Sequence, residues 1–242
     1  ILNTDVNMHP SSELLNQFIQ GELATGKSVV VSAHMELCRS CCAKAKELEA
    51  LAVSSWVDPS IDQSIAPELD AQSDTDYSAM VASIVTSAQL TSEPVAEVVD
   101  VQMDVSNDSI TLPKVLAKAA QQGLNWKRVA GGISEAQLIL DDETQCEFIY
   151  MAPGSKVPVH THKGSETTLV LKGSFEDELG EYKASDFIVR DTQHHHQPAS
   201  KEGCLCFAVL DSPLKFTQGL ARFMNPVNNY KFKKALSKAA VS

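Results

Sequence analysis

No stretch of this 242-residue chain approaches the roughly 20 consecutive apolar residues that a membrane helix requires. The first ten residues carry Asp5 and no positive cluster, so no secretory leader is expected; a chain opening on Ile1 suggests a trimmed start. Cysteine is too sparse and too clustered for a disulfide framework. Three of the six fall at positions 38, 41 and 42, which fits reduced thiols and a metal in a cytoplasmic protein. Positive charge is scarce at the front. Residues 1–95 hold 13 carboxylates against 4 bases, net −9, whereas residues 96–242 hold 18 against 16, net −2. Six carboxylates and no base lie between Asp58 and Asp76. That deficit disfavours direct nucleic-acid binding, because phosphates would be repelled. It leaves two readings open: a solvated, self-repelling link, or a surface that attracts a basic partner.

What is present begins with helices. Leu14, Leu15, Phe18, Ile19 and Leu23 fall on one stripe over 11–23, with Ser11 or Ser12 as N-cap. A second helix is expected over 27–37 despite the β-branched run Val29-Val30-Val31, a weak helix former. A third spans 42–53. After an exposed acidic link at 57–75, a fourth amphipathic helix is expected over 76–90, packing on its own domain or on a partner. Residues 91–108 again read as linker.

The front of the chain also holds a ligand pattern. His34 and Cys38 are four apart, on one helical face if the segment is helical, and Cys41 follows at the next turn. Zinc prefers four such ligands in a tetrahedron, and His9, just before Pro10-Ser11-Ser12, is the nearest candidate for the fourth. The competing reading is two inert thiols and a core histidine. H-x3-C-x2-C after a short amphipathic helix resembles the zinc-binding anti-sigma domain, and Met8-His9-Pro10 before Glu13-Leu14-Leu15 narrows the resemblance to ChrR-type anti-sigma factors. That family carries a second, cupin-like domain.

From Ile110 the period changes. After a short helix at 112–122, apolar stretches at 136–140, 146–151, 168–171, 187–189 and 204–210 are separated by turn residues, which suggests an antiparallel sandwich or small barrel. Within it, Gly154-x5-His160-x-His162-x3-Glu166-x6-Gly173 matches the first cupin signature without a departure. On a strand, residues i and i+2 share a face. His160 and His162 therefore point together, and Glu166 can reach the same point. Such a set binds zinc, iron, manganese, nickel or copper. The second signature is degraded. Ser185, Asp191 and Gln193 stand where that family shows Gly, Pro and Gly, and only His196 survives, with His194 as the alternative ligand. Cys204 and Cys206 share a face and read as buried small hydrophobes or as a redox pair; Cys42 and Cys146 read as structural. The lysines after Asn228 look like a frayed basic end.

The expected architecture is α+β and multidomain. A zinc-binding helical domain at 1–95 is joined through a linker at 96–109 to an antiparallel barrel or sandwich of the cupin type at 110–225, with a tail at 226–242. The ligand sets are His9, His34, Cys38 and Cys41, and His160, His162, Glu166 and His196. By resemblance the barrel metal is zinc, with iron, manganese or nickel as other occupants. The resemblance implies a cytoplasmic anti-sigma factor, not an enzyme. It would block an extracytoplasmic-function sigma factor and release it under photooxidative, singlet-oxygen or peroxide stress sensed through the cupin. The alternative is a dioxygenase-like metal enzyme with an accessory zinc module, although no base beside the ligands and no substrate-binding motif is discernible.

Overall fold

The computed structural model describes residues 8–56, 83, 102–105, 108–121, 123–192 and 194–239. The acidic link expected at 57–75 lies outside them, as does the helix expected over 76–90 apart from Ser83. Contacts group residues 1–48 with 100–242 in one compact unit and 49–99 in another. No helix among the described residues is long and apolar enough to cross a membrane.

The helices come first. Helix α1 (Ser12–Gln20) starts where Ser11 Oγ accepts the Leu14 N–H and stops at Gly21, whose φ of 72° suits a residue without Cβ. Helix α2 (Thr25–Leu37) forms despite its three valines. Val30 and Val31 are fully buried, and tertiary packing outweighs a propensity cost of a few tenths of a kcal/mol per residue. The chain breaks at Cys38, whose φ of −119° and ψ of 103° are extended, and α3 (Arg39–Trp56) follows. A hairpin of β1 (Gln102–Val105) and β2 (Asp108–Thr111) leads to α4 (Lys114–Ala120). Pro113 offers no side-chain cap to α4. Instead Glu36 of α2 accepts the Lys114 and Val115 N–H groups at 2.8 and 3.2 Å, satisfying orphan donors at the positive end of the helix dipole.

The strands follow as β3 (Trp126–Ala130), β4 (Ile133–Leu138), β5 (Gln145–Met151), β6 (Ser155–Lys156), β7 (His160–His162), β8 (Glu166–Asp177), β9 (Gly180–Lys183), β10 (Phe187–Arg190), β11 (Ala199–Ser200), β12 (Cys204–Leu210) and β13 (Leu214–Phe216). Their order is β3-β4-β5-β12-β8, continued by β11 and β6, with β9 and β10 also paired to β8 and β13 paired to β7. All strand pairings among the described residues are antiparallel. The long β8 changes partners at Gly173, where φ is 73° and a Cβ would meet the Gly203 backbone. It pairs with β10 and β12 before that glycine and with β9 after it.

Alternation then divides the sheet into two apolar faces. Phe148, Phe207, Val209, Leu169 and Phe187 form one cluster with Leu15, Val30, Val31 and Leu116 of the helices. Val170, Ile188, Met151, Cys204 and Cys206 form a second cluster on the opposite face. Every residue of β12 is buried, which is why that strand reads as an unbroken apolar run. The basic tail differs from the frayed end expected. A 3-10 turn (Leu220–Met224) leads into α5 (Asn225–Ala239), whose Phe232 packs with Ala208 and Leu210, joined by Leu236. Phe232, Ala235 and Leu236 are spaced i, i+3, i+4, so an apolar stripe was present among the lysines.

Helix α2 presses on the sheet through Gly26. Its N–H donates to Asp141 Oδ2 at 2.6 Å, and a Cβ there would run into Thr144 Oγ1 and Cys146 Sγ. Gly26→Ala is therefore expected to cost about 1–3 kcal/mol by overpacking. A urea midpoint unchanged from that of the parent protein would contradict this packing.

Candidate metal centres

The first cluster is built at the break between α2 and α3. His34 is on the last full turn of α2, Cys38 occupies the break, and Cys41 sits in the first turn of α3. The chain break, rather than one continuous helical face, is what turns all three inward. His9 arrives from the segment just before α1. His9 Nδ1 lies 3.4 Å from His34 Nε2 and 3.5 Å from both Cys38 Sγ and Cys41 Sγ, and His34 Nε2 lies 3.3 Å from Cys41 Sγ. A tetrahedral ion held by nitrogen at about 2.0 Å and sulfur at about 2.3 Å sets N–N edges of roughly 3.3 Å and N–S edges of roughly 3.5 Å. The four residues fit such an ion.

This cluster rests against the sheet. The His34 ring is fully buried and meets the Phe187 ring edge-on at 5.3 Å, while the Phe187 N–H donates to Met8 O at 3.0 Å. Burial, reinforced by His9, lowers the His34 pKa to about 4, so its imidazole is neutral and ready to ligate. Burial raises the Cys41 thiol to about 11, a cost that a bound cation would offset by favouring thiolate. The turn facing His34 contains Ser185, at a φ of 79°. This is the position where the second cupin signature has glycine, so the left-handed turn survives although the residue has changed.

The second cluster lies on the opposite face of the sheet. Strand β7 points His160 and His162 the same way, Glu166 opens β8, and His196 joins through an isolated backbone bridge with His160, 3.1 Å in each direction. His196 Nε2 is 2.8 Å from His160 Nε2 and 3.3 Å from His162 Nε2, and His162 Nε2 is 2.7 Å from Glu166 Oε2. All four residues are buried. Glu166 Oε2 and His162 Nδ1 lack a hydrogen bond of good geometry, and a carboxylate oxygen left so among three imidazoles is what a cation would satisfy. His194 does not join them. It is partly exposed and lies 2.7 Å from Asp191.

Each cluster brings its ligand atoms within 4.8 Å of one another, and each could hold a metal ion. A cavity of about 80 Å³ adjoins the second, walled by Ile149, Phe175, Ile188 and Cys206 among others. Cys204 and Cys206 are both buried, with sulfurs 4.0 Å apart, and neither belongs to either group of candidate ligands. Cys146 is buried too, and Cys42 partly so.

Electrostatics in the second cluster are mixed: against the pull of burial, Glu166 holds the His162 pKa above its ordinary value. Burial and then His196 lower the His160 pKa to about 3. Burial alone would push Glu166 up, but His162, His160 and His196 together hold it well below the carboxylate range. For stability the sign follows from His34 and His160. Their folded pKa values lie below the unfolded value of about 6.5, so the unfolded chain takes up these protons first. The contribution of these two groups is then fully present above about pH 6.5 and falls as pH drops through about 4, by up to roughly 1.4 kcal/mol per pH unit for each, and it outnumbers the opposite contribution of the single raised His162. A bound metal only sharpens this, since a ligating imidazole carries no extra proton. Urea titrations at pH 7.5, 6 and 5 are expected to show the fall; a flat profile would contradict it.

The ChrR Cupin-like domain family matches residues 116–212. Across nearly the whole chain, anti-sigma-E factor ChrR of Cereibacter sphaeroides is 30% identical over 229 residues, covering 91% of this chain and 97% of ChrR. Among solved structures, the crystal structure of Rhodobacter sphaeroides SigE in complex with the anti-sigma ChrR matches with a TM-score of 0.60 at 28% identity, covering 84% of this chain and 98% of that one. With helices and ligands at the front, a cupin-like sheet behind, and one relative spanning both, the chain belongs to the ChrR family of anti-sigma factors.

Proposed function

We propose that this chain binds an extracytoplasmic-function sigma factor through its N-terminal region, residues 1–95, and keeps it from core RNA polymerase and promoter. The observation that carries the reading is the whole-length likeness to ChrR, whose structural counterpart is the one in complex with SigE. The charge supports it. A front half with a net charge of −9 complements a partner whose task is to hold DNA, and such complementarity speeds encounter and limits wrong partners. The working compartment is then the cytoplasm, where the polymerase is.

In this reading one zinc ion is held by His9, His34, Cys38 and Cys41 and is structural, since all four ligand positions are filled by protein and none is left for substrate. His160, His162, Glu166 and His196 hold a second metal, with zinc the first choice. The barrel at 110–225 governs release of the sigma factor under singlet-oxygen or peroxide stress. The packing gives a physical route for that control, because α1 and α2 share one apolar cluster with β5, β8, β10 and β12. A change in the sheet is felt by the helices.

The test is co-expression of the full chain with the extracytoplasmic-function sigma factor of the same organism. The two are expected to co-elute as a stable complex with zinc. Cys38→Ala should lose about one equivalent of zinc and the complex together, because structural zinc contributes folding energy. Normal zinc content and normal sigma binding in Cys38→Ala would overturn the assignment.

A further inference from the structure

Asp177 closes β8 and is not among the residues singled out from the sequence. Its side chain is 1% exposed, and its two oxygens have four partners. Oδ2 accepts from His196 Nδ1 at 3.3 Å and from Arg190 Nη2 at 3.2 Å, while Oδ1 accepts from the Tyr182 hydroxyl at 3.0 Å and the Leu179 N–H at 2.8 Å. The Arg190 guanidinium also donates to the Tyr182 hydroxyl and lies 5.2 Å above that ring. A buried acid so fully engaged holds a fixed position, and the imidazole it touches belongs to the second cluster.

We propose that Asp177 is the positioning residue that makes His196 a metal ligand. The inference rests on the reading that this cluster holds a metal. A carboxylate can only accept, so His196 carries its proton on Nδ1 and leaves the lone pair on Nε2. His160 is fixed the same way, because its Nδ1 donates to Pro158 O at 3.0 Å. Two Nε2 lone pairs then face each other at 2.8 Å, an arrangement that a cation between them satisfies and a hydrogen bond cannot. Without Asp177 the other His196 tautomer would donate Nε2–H to His160, and the pair would be satisfied with no metal. The acid thus turns a possible histidine–histidine hydrogen bond into half of a metal site.

A helper of this kind is needed here because the turn that precedes His196 has lost the Pro and Gly of the second cupin signature. Residue 196 belongs to no strand, and its neighbour His194 is drawn to Asp191. Strand β8, by changing partners at Gly173, supplies both the ligand Glu166 and the group that orients His196.

The experiment uses the full chain and cobalt(II) or zinc alone as probe. Thiolate-to-cobalt absorption reports the cysteine cluster, and chelator competition for the second equivalent reports the barrel. Asp177→Asn is expected to weaken the second equivalent by about 10–100-fold, the usual effect of removing such an outer partner, and to leave the thiolate band unchanged. Because Asn would leave Arg190 an unpaired buried charge, D177N/R190M is measured alongside it, with the same loss expected. The decisive comparison is in the His196→Ala background, where D177N should change affinity by less than about twofold. Equal losses with and without His196 would show a merely structural role and overturn the proposal, as would unchanged affinity in both D177N and D177N/R190M. A parent protein that takes up one equivalent only, at the cysteines, would instead sink the metal reading of the barrel and this inference with it.

Discussion

Donor atoms that carry lone pairs repel one another at close range, and this chain brings two sets of four within 4.8 Å. That constraint explains more of the structure than any single apolar contact. The chain breaks at Cys38 instead of continuing one helix from Thr25 to Trp56, and the break is what turns two thiols and an imidazole toward one point. On the other face of the sheet, β7 supplies two imidazoles by simple alternation, and a third is tied back by a backbone bridge. A cation in each would offset the several kcal/mol that polar groups cost when buried facing one another without good partners. Each metal would then be part of the fold that presents it.

The two clusters lie against opposite faces of one sheet. Strand β10 touches both. Phe187 meets His34 and donates its N–H to Met8 O, and three residues on, Arg190 stands opposite Glu166 in the β10–β8 register. Around it, α2 is pinned to the sheet side by the Gly26–Asp141 hydrogen bond and the Lys27–Asp211 ion pair at 3.1 Å. Isolated, a surface ion pair is worth little. Here it accompanies fully buried valines and a tight glycine contact, so helix and sheet are held in register. An anti-sigma factor made this way has its first two helices and its barrel wall in contact.

How much of this could be read from residues alone varies with the physics of each element. His160, His162 and Glu166 were legible because strand alternation and a fixed spacing leave little choice. His34, Cys38 and Cys41 were legible from local spacing. His9 stands 25 residues from His34 and shares no period with it, and it was picked as the nearest remaining candidate ligand, just before the start of a helix. His196 was chosen over His194 by motif register, and His194 is indeed turned away toward Asp191. Ser185 looked like lost turn chemistry, yet its backbone keeps a φ of 79°, because the surrounding turn over-determines it. Asp177 gave no signal, since an acid eleven residues past Glu166 matches no period and its role exists only once β8 bends. The C-terminal helix was hidden for a different reason. Its lysines dominate the composition, and the stripe of Phe232, Ala235 and Leu236 is short.

The central claim is that both clusters are metal centres, one with sulfur ligands and one without. X-ray absorption on the purified full-length protein, with elemental analysis of the same sample, tests it directly. The account predicts two metal equivalents per chain, one with two sulfurs at about 2.3 Å and two nitrogens at about 2.0 Å, the other with nitrogen and oxygen only. A single equivalent, or a disulfide joining Cys38 and Cys41 in place of a metal, would contradict it.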